Sequence, residues 1–151
     1  MEEGDFSFDD AQDLPIYKKG MEIYEIVHKV TELLPEGDPV TETSRQFLRE
    51  DAMMLTVKVT GAEASEFYDL KMENATLIRK AARSILAQCS NLNMMGFKET
   101  YYLDLIREEI ENYRLLFVEW IRGFDPWTYV VDEWGLFKPA GIEPEDKEDD
   151  L

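Results

Sequence analysis

The chain has 151 residues, 44% of them hydrophobic and 12% aromatic, a globular composition that argues against disorder and suffices for the core of one domain. Its formal net charge is −17, from 33 acidic residues against 16 Lys and Arg, so non-specific attraction to phosphate backbones is disfavoured. A single cysteine, Cys89, excludes an intramolecular disulfide and a cysteine-based zinc site.

The charge is concentrated at both ends. Residues 1–12 carry Glu2, Glu3, Asp5, Asp9 and Asp10, and residues 143–151 carry six acids against Lys147. Both segments read as solvated tails, the second one disordered. The opening MEEGDFSFDD has no basic n-region and no apolar run, which predicts a protein without a secretory signal, located in the cytoplasm. No stretch approaches the ~18 consecutive apolar residues of a membrane span.

Residues 13–124 read as four helices. The first is predicted from about Asp13, as N-cap, with Pro15 in the first turn, to Leu34. Ile16, Gly20, Ile23, Val27, Val30 and Leu34 alternate steps of four and three, an inward-facing seam. Pro35-Glu36-Gly37-Asp38-Pro39 ends it. The second is predicted from about Thr43 to Thr60 on Leu48, Ala52, Leu55 and Val59, with Gly61 as terminator; its LTVKVT stretch is rich in β-branched residues, but the seam continues through it. The third is predicted from about Ala64 to Leu92 on Tyr68, Met72, Ala75, Ile78, Ala82, Ile85, Cys89 and Leu92. The fourth runs from about Lys98 to Gly123 on Leu103, Ile106, Ile110, Tyr113, Phe117, Trp120 and Phe124, the strongest periodic signal in the chain. Short connections between long helices predict an all-α, antiparallel up-down-up-down four-helix bundle. Residues 125–142, with two tryptophans, read as an aromatic-rich extension packing on the bundle, with a short strand at TYVV.

Three groups of residues invite a chemical reading. Glu25 and His28 have the Glu-x-x-His spacing of di-iron bundles. Glu25, however, lies about 200° around the helix from Ile23 and Val27. It belongs instead to the charged row Lys18, Glu22, Glu25, Lys29 and Glu32, and no second histidine is present. Glu108, Glu109 and Glu111 resemble the acidic clusters that hold Mg²⁺ in all-α nucleotide hydrolases, but Ile106 and Ile110 mark the inward face, and the opposing helix offers only Glu50 and Asp51. Cys89 sits on an apolar face and reads as a small core residue. Neither a Gly-rich phosphate loop nor a nucleophile–base pair is evident, so no enzyme activity, metal or cofactor is expected; a metal-dependent hydrolase is the least favoured alternative.

The apolar residues left over point to a partner surface. Tyr17 and Tyr24 on the first helix, and Leu105, Leu116 and Val118 on the fourth, lie outside the main seams, and a bundle core needs only about three apolar residues per heptad. With Trp127 and Trp134 they form the candidate surface for self-association or a protein partner. Arg79, Lys80, Arg83, Arg107 and Arg114 are the candidate nucleic-acid patch, a role that the net charge weakens.

The stretches LPIYKKGMEIYEIVHKVTELLPEGD, RQFLREDAMML and SEFYDLKMENATLIRKAARSILAQCSNLNMMGF resemble the opening helix, second helix and third helix of a known family. That family is the four-helix bundle proteins related to those encoded in 23S rRNA intervening sequences, a group that includes the accessory variability determinant of diversity-generating retroelements. The resemblance implies a non-enzymatic bundle assembled as a ring-like homopentamer, some members of which present a basic surface to nucleic acid or a reverse transcriptase. The turn after the second helix departs from the family pattern. Val59-Thr60-Gly61-Ala62-Glu63-Ala64-Ser65 stands where an Ile-Ala-Glu-Gly-type motif and basic residues are common, and the aromatic extension has no counterpart. The combined expectation is a non-catalytic, self-associating structural or adaptor protein for a protein partner, with nucleic-acid binding as the alternative.

Overall fold

The computed structural model describes residues 8–139 and 141. Its helices are α1 (Phe8–Gln12), α2 (Pro15–Leu33), α3 (Pro39–Glu63), α4 (Tyr68–Met94) and α5 (Thr100–Arg122), followed by a 3₁₀ turn at Pro126–Thr128. The four long helices form the antiparallel bundle that the periodicity predicts. α3 packs on α2 and α4, and α5 on α2 and α4. Ile23, Val27 and Val30 of α2 meet Leu48, Leu55 and Val59 of α3, Ile78 and Ile85 of α4, and Leu103 and Ile106 of α5 in one continuous core. Every seam position of the first helix is buried, as are all four of the second.

Several boundaries differ from the sequence reading. The α2 N-cap is Leu14, with no side-chain bond, because the preceding turn places Pro15 at the first helical position and leaves Asp13 exposed. α3 begins four residues before Thr43. Asp38 caps it, accepting from the Val40 amide at 3.2 Å and the Thr41 hydroxyl at 2.9 Å. α3 also runs past Gly61 to Glu63. Gly61 lies inside the helix beside α4 rather than ending it; a Cβ there would stand 2.9 Å from Asn74 Oδ1, the movable end of a side chain. α4 begins at Tyr68, not Ala64. It ends in a Schellman motif: the Phe97 amide donates to the Leu92 carbonyl at 3.0 Å and the Gly96 amide to Asn93 at 3.2 Å, with Gly96 at φ 84°.

Residues 8–12, expected within the acidic tail, form α1. Ala11 is buried, and the helix packs on α3 and α2, so the bundle extends further towards the N-terminus than the charge pattern indicates. The expectations for residues 1–7 and 143–151 lie outside the described residues. After α5 the chain crosses to the start of α4. Asp125 caps the 3₁₀ turn through the Trp127 amide at 3.0 Å, Tyr129 is buried, and the Val130 amide donates to Asp69 Oδ1 at 3.3 Å. The aromatic extension thus packs on one end of the bundle. The expected strand at TYVV is not formed, because Thr128 closes the turn and Asp69, not a neighbouring strand, takes the Val130 amide; no strand occurs among the described residues.

α4 buries Ala75, Ile78, Ile85, Cys89 and Leu92 of its predicted face, with the face shifted slightly around the helix. Ala81, not Ala82, is the fully buried alanine, and Tyr68 and Met72 are half-buried. α4 packs more extensively on α3 than on α5, and a groove is left between α4 and α5.

Candidate interaction surfaces

The residues singled out for metal chemistry lie on helix surfaces, with Glu108 exposed and several of the others engaged in ordinary contacts. Glu25 is exposed, along with the whole Lys18–Glu22–Lys29–Glu32 row. His28 pairs with Glu32, Nε2 to Oε1 at 3.1 Å, and stacks on Tyr24 with ring centroids 6.2 Å apart. Glu109 accepts from Lys19 Nζ of α2 at 2.7 Å, and that bond, seconded by Glu22, holds the Lys19 ammonium above its ordinary value. Glu111 accepts from Arg114 Nε at 2.9 Å. Among the described residues no three His, Cys, Asp or Glu side chains are grouped to hold a metal ion. Cys89 is fully buried in the core. Burial pushes its thiol up to about 11, against a small opposing effect of Arg107, a value that keeps it a thiol at neutral pH.

The candidate partner-surface residues divide into three sets. Tyr17, Tyr24 and Leu116 are half-buried and pack against the core, and Leu105 is half-buried as well. Two helices lying side by side cover more than a narrow seam, which accounts for this part of the apolar surplus. Val118 lines a groove described below. Trp127 and Trp134 are 62% and 88% exposed at the end of the bundle. There Trp134, Leu136 and Phe137 join Asp69, Glu73 and Asp132 around a notch of about 320 Å³.

A further apolar face was missed by the sequence reading. Phe47, Met53, Met54 and Val57 of α3 are 37–51% exposed and surround Glu50 on the side of α3 away from the core. Their spacing is masked in the sequence, because each stands next to a core residue of the same helix, as Phe47 does to Leu48 and Met54 to Leu55.

The basic candidates do not form one patch. Lys80 lies towards Asp51 on the α3 side. Arg107 pairs with Asp104 at 3.0 Å. Arg79, Arg83 and Arg114 are brought together, around a groove of about 400 Å³ between α4 and α5. Its floor is apolar, with Ala82 and Leu86 from α4 and Ile110, Tyr113 and Phe117 from α5. No helix among the described residues is long and apolar enough to cross a membrane. No family model, curated protein or solved structure matches the chain.

Proposed function

We propose that this protein is a non-catalytic, self-associating helical bundle that acts in the cytoplasm as a structural or adaptor protein for a protein partner. The observation that carries this reading is the outer face of α3. Four large apolar side chains are partly exposed there, on a helix whose inner face already contributes to the core. A contiguous exposed apolar face on a bundle marks an association surface. The engagement of the candidate chemical groups in structural roles supports the non-catalytic part: Glu109 with Lys19, Glu111 with Arg114, Cys89 in the core. The resemblance to the intervening-sequence bundle family adds a ring of five chains to the proposal. Light scattering after size exclusion tests it: the expected result is a discrete multiple of the 17.7 kDa chain, and a single-chain mass at every concentration refutes self-association.

The second reading is nucleic-acid binding, favoured by Arg79 and Arg83 standing together on one helix. It predicts a salt-sensitive mobility shift of labelled RNA or DNA; no shift at low salt removes it.

A further inference from the structure

The α4–α5 groove and the outer face of α3 are complementary in four respects. The first is charge. Of the seven arginines in the chain, five are held. Arg45, Arg107, Arg114 and Arg122 each pair with an acid on their own helix, and Arg49 donates to the Thr31 hydroxyl. Among the described residues, Arg79 and Arg83 have no hydrogen-bond or ion-pair partner, in a chain with twice as many acids as bases. They are one turn apart on the same rim of the groove. The α3 face carries the opposite sign at its centre, Glu50, which meets only Gln46 at 2.9 Å.

The second is polarity. The groove floor is lined by carbon, and the α3 face presents Phe47, Met54 and Val57. Methionine and phenylalanine at the centre of a patch are the side chains enriched where interfaces are driest. The third is length. The floor from Ile78 to Leu86 spans eight helical steps, about 12 Å, and the row from Phe47 to Val57 spans ten, about 15 Å. The fourth is access. In one chain the α3 face points out from a different side of the bundle and does not reach the groove, while the chain's own aromatic extension is seated elsewhere, on Asp69 at the start of α4.

We propose that a second copy of this chain docks the outer face of its α3 into the α4–α5 groove, head to tail, with Phe47 and Met54 on the apolar floor and Glu50 opposed to Arg79 and Arg83. This rests on the self-association reading and specifies its surfaces. Glu111 also lines the groove but is held by Arg114; a two-fold pairing that lays α4 on α4 would bring Arg79 and Arg83 against their own counterparts, and one of α3 on α3 would oppose Glu50 to Glu50. The heterologous contact fills both surfaces and sets Glu50 against Arg79 and Arg83, and such a contact propagates into a ring or a chain of subunits.

The test uses two full-length variants. Phe47→Glu spoils the α3 face and leaves the groove intact; Arg79→Glu combined with Arg83→Glu spoils the groove rim and leaves α3 intact. All three positions are exposed, and circular dichroism checks that both variants keep the wild-type helix content. Expected on light scattering are an oligomeric wild type, a single-chain mass for each variant alone, and a 1:1 mixture that forms a dimer and stops there, since each dimer retains one good contact. A wild-type oligomer whose variants keep its mass overturns these surfaces and leaves self-association standing. Mixed variants that stay monomeric also overturn the head-to-tail contact. A monomeric wild type overturns both this proposal and the self-association reading. If the double arginine variant loses a nucleic-acid shift while keeping the wild-type mass, the groove belongs to nucleic acid instead.

Discussion

The hydroxyl of Tyr113 on α5 donates to the carbonyl oxygen of Leu55 on α3 at 2.8 Å, across the diagonal of the bundle. Both side chains are essentially inaccessible to solvent, and burial raises the phenol well above its ordinary value. The tyrosine is the largest fully buried side chain, and its polar tip is satisfied by a backbone group. The same Leu55 carbonyl lies 2.9 Å from where a Cβ on Gly20 would stand. One backbone position therefore sets the spacing of α2, α3 and α5.

Tyr113→Phe removes the hydroxyl and keeps the ring. The Leu55 carbonyl lies within the α3 helix and retains its helical bond, so no buried group is orphaned. The expected cost is about 1 kcal/mol, that of one net hydrogen bond, with the helix content unchanged. Urea unfolding followed by circular dichroism measures it. A loss above about 3 kcal/mol would show that the hydroxyl anchors more of the core than this one bond.

Gly20→Ala is ordinarily a favourable exchange within a helix, by up to about 1 kcal/mol. Here the new methyl would meet Leu55 O and Thr56 Cγ2, each at 2.9 Å. The first is backbone and moves only if α3 does. The overpacking cost of about 1–3 kcal/mol decides the sign, so the alanine variant should unfold at a lower urea concentration than wild type. A more stable alanine variant would mean that α2 and α3 separate without loss.

α2 ends without a glycine cap and without a basic residue in its last turn. Its final carbonyls are satisfied from the next helix. Arg45 donates through Nε to Thr31 O at 3.1 Å and through Nη2 to Leu34 O at 2.8 Å, and it also meets Glu42. A cation at a helix C-terminus is favourable twice, through the dipole and through the orphan carbonyls. Arg45→Ala should cost about 1.5–3 kcal/mol, the range for hydrogen bonds to a charged group. Amide exchange should accelerate first at the α2–α3 junction. Uniform exchange across the bundle would contradict a local capping role.

The bundle was legible because its signal is local. Ile16 to Leu34, and Leu48 to Val59, repeat at the helical period, and a periodic apolar face has few other places to go. What depended on proximity was not legible. The spacing of Arg45 from Thr31 says nothing about a cap, because the loop between them brings the two together. Gly61 read as a stop, since nothing in the sequence shows Asn74 beside it. Tyr17, Tyr24 and Leu116 read as surplus, since the width of the contact around α2 is a property of its neighbours. The outer face of α3 was hidden by interleaving with core residues. The groove lies between two helices that pack on each other less extensively than α4 packs on α3. Its arginines could be named from the sequence, but the groove between α4 and α5 that three of them line could not.

Asp51 of α3 offers the clearest dependence on pH. It is half-buried against α4, and its Oδ2 has no protein partner. Burial raises its carboxyl above the usual carboxylate range, and the nearby Ser84 hydroxyl opposes that only in part. A carboxyl with a folded-state pKa above its unfolded value binds its proton more tightly in the folded chain. Its ionisation therefore costs stability above the folded pKa, and the cost is relieved as pH falls towards the unfolded value. Asp51→Asn removes that charge and keeps the shape. The variant should be more stable than wild type at pH 7, and the difference should shrink as the pH is lowered through the carboxylate range. Urea midpoints at pH 7 and at pH 4 measure it. An asparagine variant that is less stable at pH 7 would mean that the ionised carboxylate makes a favourable contact, with Ser84 and Lys80 the candidates.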